Sequence, residues 1–183
     1  MAYDPNRHNR RSIRLPKREY VQPGAYFVTI CTKDRMCNFG DVINGVMVLS
    51  EWGAVVQERW QALPLHHPNV SLDVFVVMPN HLHGIVVISD GIDMSGRAQQ
   101  AAPLHHEGMH ILPGSLNAII RSFKASVTAR IRKMIGNPFI QIWQRNYHEH
   151  VIRESSSIDR IRDYFIGNPG RWENDPENLR KFS

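Results

Sequence analysis

Cysteine is scarce in this chain, and long hydrophobic runs are missing. Its 183 residues hold two cysteines, Cys31 and Cys37, whose spacing makes neither a CxxC pair nor a disulfide ladder. Cys31 sits in an apolar run and reads as a small core residue, so a reducing, cytoplasmic setting is the natural expectation. No run of 18 apolar residues occurs, which excludes a membrane-spanning helix. The N-terminus is basic and polar with no apolar stretch behind it, so a secretory signal peptide is not expected there. Pro5 and Pro16 also work against a helical transit peptide. Internal repeats are lacking, and the segment 114–135 contains no acid.

What remains is ordinary globular composition with an uneven charge. About 42% of residues are hydrophobic and 21% charged, enough for one domain with a real core. The formal net charge is +5. Residues 1–18 carry Arg7, Arg10, Arg11, Arg14, Lys17 and Arg18 against Asp4 alone, which accounts for all of it; the rest of the chain balances. Residues 1–19 are therefore expected to be a basic arm with little to bury.

Periodicity divides the remainder. The aromatic and β-branched run 26–32 predicts a strand, and 46–49 a short second one. Ser50 is an N-cap for a helix over 51–62, stopped near Pro64. Two apolar runs, 72–78 and 81–88, flank Pro79-Asn80 and predict a tight hairpin. Residues 89–113 have neither periodicity and read as a flexible insertion. From Ser115 a long helix carries the stripe Leu116, Ile119, Ile120, Phe123, Val127, Ile131 and Met134. A strand is expected over 141–152, then a helix over 156–167 ending at Asn168, because Pro169 drives its predecessor out of helical geometry. The polar stretch from 170 on reads as a tail. The order β-β-α-β-β-α-β-α suggests an α+β fold, an antiparallel sheet with helices on one side.

Two groups of residues could do chemistry. His81 and His83 are two apart in a strand, so both imidazoles share a face, a workable metal pair. On spacing alone, a pair of hydrogen-bonded or surface histidines is equally consistent with it, and His148 and His150 repeat the spacing in another expected strand. Tyr164 and Asn168, four apart, neighbour each other on the last helix. A tyrosine packed beside a core stripe and an ordinary helix stop would give the same pattern.

Taken in order, the motifs narrow the choice. Met78-Pro79-Asn80-His81-Leu82-His83-Gly84 is followed by the basic helix, by Trp143-Gln144-Arg145-Asn146-Tyr147, and by Ile161-Arg162-Asp163-Tyr164-Phe165-Ile166-Gly167-Asn168-Pro169. Over residues 20–170 this series resembles the single-tyrosine HUH transposases, and among them the REP-associated tyrosine transposases. The resemblance implies a ferredoxin-like antiparallel sheet with the histidine pair on a central strand and the tyrosine helix docked alongside. Residues 171–183 would be a C-terminal tail.

The resemblance also implies a site. His81 and His83 would bind a divalent ion, Mg²⁺ or Mn²⁺, with the Asn168 amide completing the set; relatives often carry Gln there. His150 lies near another position where relatives tend to carry His. Two imidazoles and one amide leave about half of an octahedral shell open for phosphate and water. No carboxylate is evident from the sequence to join them. Tyr164 would be the nucleophile, cleaving single-stranded or hairpin DNA through a 5′-phosphotyrosine. The arm cations, together with Arg121, Lys124, Arg132 and Lys133 on the long helix, would contact phosphates. Some relatives exchange the tyrosine helix in a homodimer and others work as monomers. A DNA-binding protein of the same fold without catalysis, and a replication or conjugation nickase, are the alternatives. A membrane is not an expected partner.

Overall fold

The computed structural model describes residues 23–89, 114–153 and 155–178, with backbone alone at 155–157. The basic arm, with Arg7, Arg10, Arg11, Arg14, Lys17 and Arg18, lies outside the described residues, as does the insertion from residue 90 on. The elements are β1 (Gly24–Cys31), β2 (Gly40–Ile43), β3 (Val46–Leu49), α1 (Glu51–Gln61), α2 (Leu63–His66), β4 (Val70–Met78), β5 (His81–Ile88), α3 (Leu116–Ile135), β6 (His148–Ile152) and α4 (Ser155–Gly167). A 3₁₀ turn, Pro169–Asn174, follows α4.

An antiparallel four-stranded sheet with order β4-β5-β1-β6 forms the body, and β2 and β3 pair separately. Its two central strands, β1 and β5, run in register from Gly24↔Ile88 to Cys31↔His81. Alternation sorts their side chains. Tyr26, Val28 and Ile30 point with Leu82 and Val86 into a large core built with α1 and α3. Phe27 points the other way with Ile85, into a smaller core closed by Phe165, Ile158 and Ile161 of α4. Helices therefore cover both faces of the sheet, not one as the element order suggested. The amphipathic stripe of α4 made it a packing helix without saying which face it would cover.

Local chemistry explains most of the boundaries. Ser50 caps α1 by accepting from the Gly53 N–H at 3.1 Å, and Ser115 caps α3 through the Ala118 N–H. Gly136 ends α3 in the left-handed conformation, φ 67°. Pro64 does not end the helical path but enters the single turn of α2, where a first-turn proline costs no hydrogen bond. Met134, expected on the α3 stripe, is 37% exposed at the helix end.

The expected strand 141–152 splits in two. Trp143 bridges Thr32, and 148–152 pairs with β1, with 145–147 between them outside the ladder. The β2–β3 hairpin turns on Asn44 and Gly45, both at positive φ. The largest difference lies at the C-terminal end. Residues 171–178 are not a tail: Trp172, Asp175 and Asn178 are buried, and Asn178 Nδ2 donates to the Trp172 carbonyl at 2.9 Å.

One glycine bears directly on the site. A Cβ on Gly84, next to His83, would lie 2.3 Å from Cζ2 of Trp60, which is fully buried and braced edge-on against Phe123. The ring has nowhere to retreat. Gly84→Ala is expected to destabilise the protein by about 1–3 kcal/mol by overpacking. An unshifted urea midpoint would show that the Trp60 ring yields at no cost.

Candidate metal centre and nucleophile

The Pro79-Asn80 turn starts β5 with both histidines on the α4 face of the sheet. Their Nε2 atoms are 3.0 Å apart, and the two side chains are almost fully buried. Each ring is held from behind. Asn80 spends its Nδ2 hydrogens on the carbonyls of Arg35 and Glu177, so its Oδ1 faces His81 Nδ1 at 2.8 Å and accepts that N–H. Thr29 Oγ1 meets His83 Nδ1 at 2.8 Å. Phe165 stacks parallel to the His83 ring, 5.8 Å away. A protonated Nδ1 leaves the Nε2 lone pair free, the arrangement seen in metal-binding histidines.

Burial also keeps these imidazoles neutral. It pushes His83 down to about 3, with nearby His148 adding to the shift. His81 falls well below its ordinary value through burial, then through His83 and Arg35. Neutral imidazoles at neutral pH are what a metal requires. Two nitrogens 3.0 Å apart also match adjacent ligands of an octahedral ion bound at about 2.1 Å.

A carboxylate joins the pair. Asp175 Oδ2 lies 3.9 Å from His81 Nε2, and its side chain is 2% exposed. His81, His83 and Asp175 each bring a ligand atom within 4.8 Å of the others, and among the described residues no other such group of His, Cys, Asp or Glu occurs. The donor set therefore fits a divalent ion. Asp175 escaped the sequence reading because it lay in the stretch taken for a tail.

Tyr164 stands at the rim. Its hydroxyl is 3.5 Å from His83 Nε2, and the residue is 37% exposed, so a large substrate can reach it. Burial raises the phenol pKa, and Asp175 raises it further; the Asn168 amide beside it offsets part of the rise. Asn168 is 2% exposed, and its Nδ2 has no hydrogen-bond partner within the described residues. His148 and His150 are exposed on β6, outside the cluster.

The basic helix proves mixed. Lys124 Nζ donates to the carbonyls of Gln144 at 2.5 Å and Asn146 at 3.3 Å, and burial pulls its pKa to about 8. Arg132 donates twice to the Ile140 carbonyl. Trp143 Nε1 donates to the Lys124 carbonyl, and Tyr147 Oη to Asn117. Lys124 and Arg132 thus pin the 140–147 segment to α3, whereas Arg121 and Lys133 face outward. An open cleft of about 590 Å³ lies along this seam, and Lys33 and Arg145 bring further cations to it.

The sheet order, the helices on both faces and the histidine pair on a central strand define an α+β fold that the chain shares with a REP-associated tyrosine transposase. The chain matches the structure of a REP-associated tyrosine transposase solved bound to a REP hairpin, with a TM-score of 0.57 and 19% identity over 87% of this chain and 74% of that one. No family model matches the sequence. The chain belongs to the same family as an uncharacterized protein of Haemophilus influenzae (strain Rd), 41% identical over 173 residues that span 94% of this chain and 95% of its relative.

Proposed function

We propose that this protein is a metal-dependent DNA strand transferase that cleaves and rejoins single-stranded DNA through Tyr164, at sites flanked by hairpins. The observation that carries the reading is the Tyr164 hydroxyl, exposed yet 3.5 Å from the buried histidine pair. A nucleophile and a metal-ligand pair within one hydrogen-bond length of each other are what in-line attack on a phosphodiester needs. The fold shared with a transposase solved on a REP hairpin supports the substrate class.

His81 and His83 would hold the ion, Mg²⁺ or Mn²⁺, and when bound it would polarise a scissile phosphate oxygen. The chain's own residues supply the rest. Tyr164 Oη forms a bond to phosphorus as the P–O3′ bond breaks, and the phenolic proton passes through solvent to the departing 3′ oxygen. The products are a 5′-phosphotyrosine and a free 3′-OH. Because one phosphodiester replaces another, attack by a second 3′-OH reverses the step without ATP. The Asn168 amide beside the phenol stabilises the oxygen as its proton leaves.

Phosphate contacts fall to Arg121 and Lys133, to the cleft cations Lys33 and Arg145, and to the arm of residues 1–18. Lys124 and Arg132 act mainly in holding the cleft wall. Among the described residues, no helix is long and apolar enough to cross a membrane. Removing residues 1–18 takes away six cations and one acid. The truncated protein is expected to bind DNA more weakly, with a smaller slope of log affinity against log salt, while Tyr164 still reacts at high DNA concentration. An unchanged slope in a salt titration would place the phosphate contacts on α3 and the cleft instead. The reading itself is tested by the ends of the cleaved DNA. A free 3′-OH paired with a protein-linked 5′ end is expected; a free 5′-phosphate would indicate hydrolysis by water.

A further inference from the structure

The carboxylate beside the histidine pair comes from a segment that packs from outside the sheet. We propose that Asp175 is the third protein ligand of the metal site, and that metal binding and the docking of residues 169–178 are one linked equilibrium. The proposal rests on the metal-dependent reading for its ion but not on DNA as the substrate.

The geometry around Asp175 is specific. Its Oδ1 accepts the Glu177 N–H at 2.7 Å, which fixes the carboxylate and turns Oδ2 toward His81 Nε2. The 3.9 Å between those atoms is shorter than the roughly 4.2 Å that two bonds of about 2.1 Å can span. One ion can therefore touch both. Two imidazoles and a carboxylate with open positions form a recurrent site for divalent transition metals. The carboxylate strengthens the hold on the cation and leaves it less net charge for phosphate.

The rest of the segment is organised around the same spot. Trp172 is buried, its ring 6.2 Å from that of His81, and its carbonyl accepts the Asp175 N–H at 3.1 Å. Glu177 forms an ion pair with Arg35, and its carbonyl accepts from Asn80 Nδ2 at 2.7 Å. Asn80 is also the residue that orients His81. One asparagine thus ties the hairpin that carries the histidines to the segment that carries the carboxylate. Asn168, the ligand implied by the sequence resemblance, is buried one turn on from Tyr164, and its amide lowers the phenol pKa.

Linkage makes this testable without cleavage. If the ion prefers the docked segment, the segment must respond to the ion by the same factor. Mn²⁺ affinity of the full chain is measured by calorimetry for the wild type, Asp175→Asn and Asn168→Ala, and amide hydrogen exchange of residues 169–178 is followed with and without Mn²⁺. Asp175→Asn is expected to weaken Mn²⁺ binding at least about tenfold and Asn168→Ala less than about threefold. Mn²⁺ should slow exchange across 169–178 in the wild type and not in Asp175→Asn. The exchange measurement on the wild type needs no variant to fold. Equal Mn²⁺ affinity in Asp175→Asn and wild type, a larger loss in Asn168→Ala, or exchange indifferent to Mn²⁺ would overturn the proposal. Because no arm contains DNA, these outcomes are separate from whether the protein cleaves it.

Discussion

Replacing Tyr164 with phenylalanine is expected to abolish the covalent protein–DNA adduct while leaving DNA affinity within about twofold. The substitution removes one oxygen. That oxygen lies 3.5 Å from His83 Nε2 with the Asn168 amide nearby, and the residue is 37% exposed. The stability change should stay within about 0.5 kcal/mol, as for most partly exposed positions. Activity is another matter, because in the proposed mechanism this oxygen is the attacking atom. Removing a nucleophile outright costs catalysis by a factor on the order of 10⁴ or more. The exposed cations proposed to carry the affinity for DNA are untouched. An electrophoretic shift read beside a denaturing gel separates the two effects. An adduct that survives in Tyr164→Phe would move the nucleophile elsewhere.

The second large effect belongs to the histidines. His81→Ala or His83→Ala removes one of two nitrogens 3.0 Å apart, and metal-dependent cleavage should fall below detection. Loss of a ligand should cost Mn²⁺ affinity at least about 100-fold, more than the loss of an outer hydrogen-bond partner. His81 is fully buried, so the variant will also lose stability. His83→Gln keeps more of the volume and serves as the check. The comparison is His148→Ala, at an exposed position outside the cluster, where cleavage should change by less than about threefold. Cleavage lost in His148→Ala and kept in His83→Gln would place the ion on β6.

Much of this site was legible in the sequence, for physical reasons that differ by element. The Pro79-Asn80 turn between two apolar runs left few options, and strand alternation then put His81 and His83 on one face. The α3 stripe from Leu116 to Ile131 could only be a buried helix face. The β2 strand was missed although Asn44-Gly45 is a strong hairpin signal, because four residues of mixed exposure carry little periodicity of their own. The segment after Pro169 was harder. It buries Trp172, Asp175 and Asn178 and docks through an ion pair and side-chain hydrogen bonds to its carbonyls, none of which leaves a pattern in composition. Asp175 was hidden with it. Lys124 and Arg132 show a related limit: counting cations on a helix face does not reveal that their head groups already bind the carbonyls of Ile140, Gln144 and Asn146.

The choice of helix face had a similar origin. Ile158, Ile161 and Phe165 declare that α4 is amphipathic, but only the packing of Phe165 against His83 and Phe27 shows that it closes the sheet opposite α1 and α3. That placement sets Asn168, one helical turn on from Tyr164, beside the phenol. It also starts the turn that returns Asp175 to the histidines.

The most direct test is to incubate the full chain with a single-stranded oligonucleotide carrying a flanking hairpin, with Mn²⁺ or with chelator, and to digest any denaturation-resistant adduct for mass spectrometry. A Mn²⁺-dependent adduct with the nucleotide mass on the peptide containing Tyr164 is the result expected here. Binding of the same oligonucleotide with no adduct in Mn²⁺ would contradict it, and would leave a DNA-binding protein on a transposase fold.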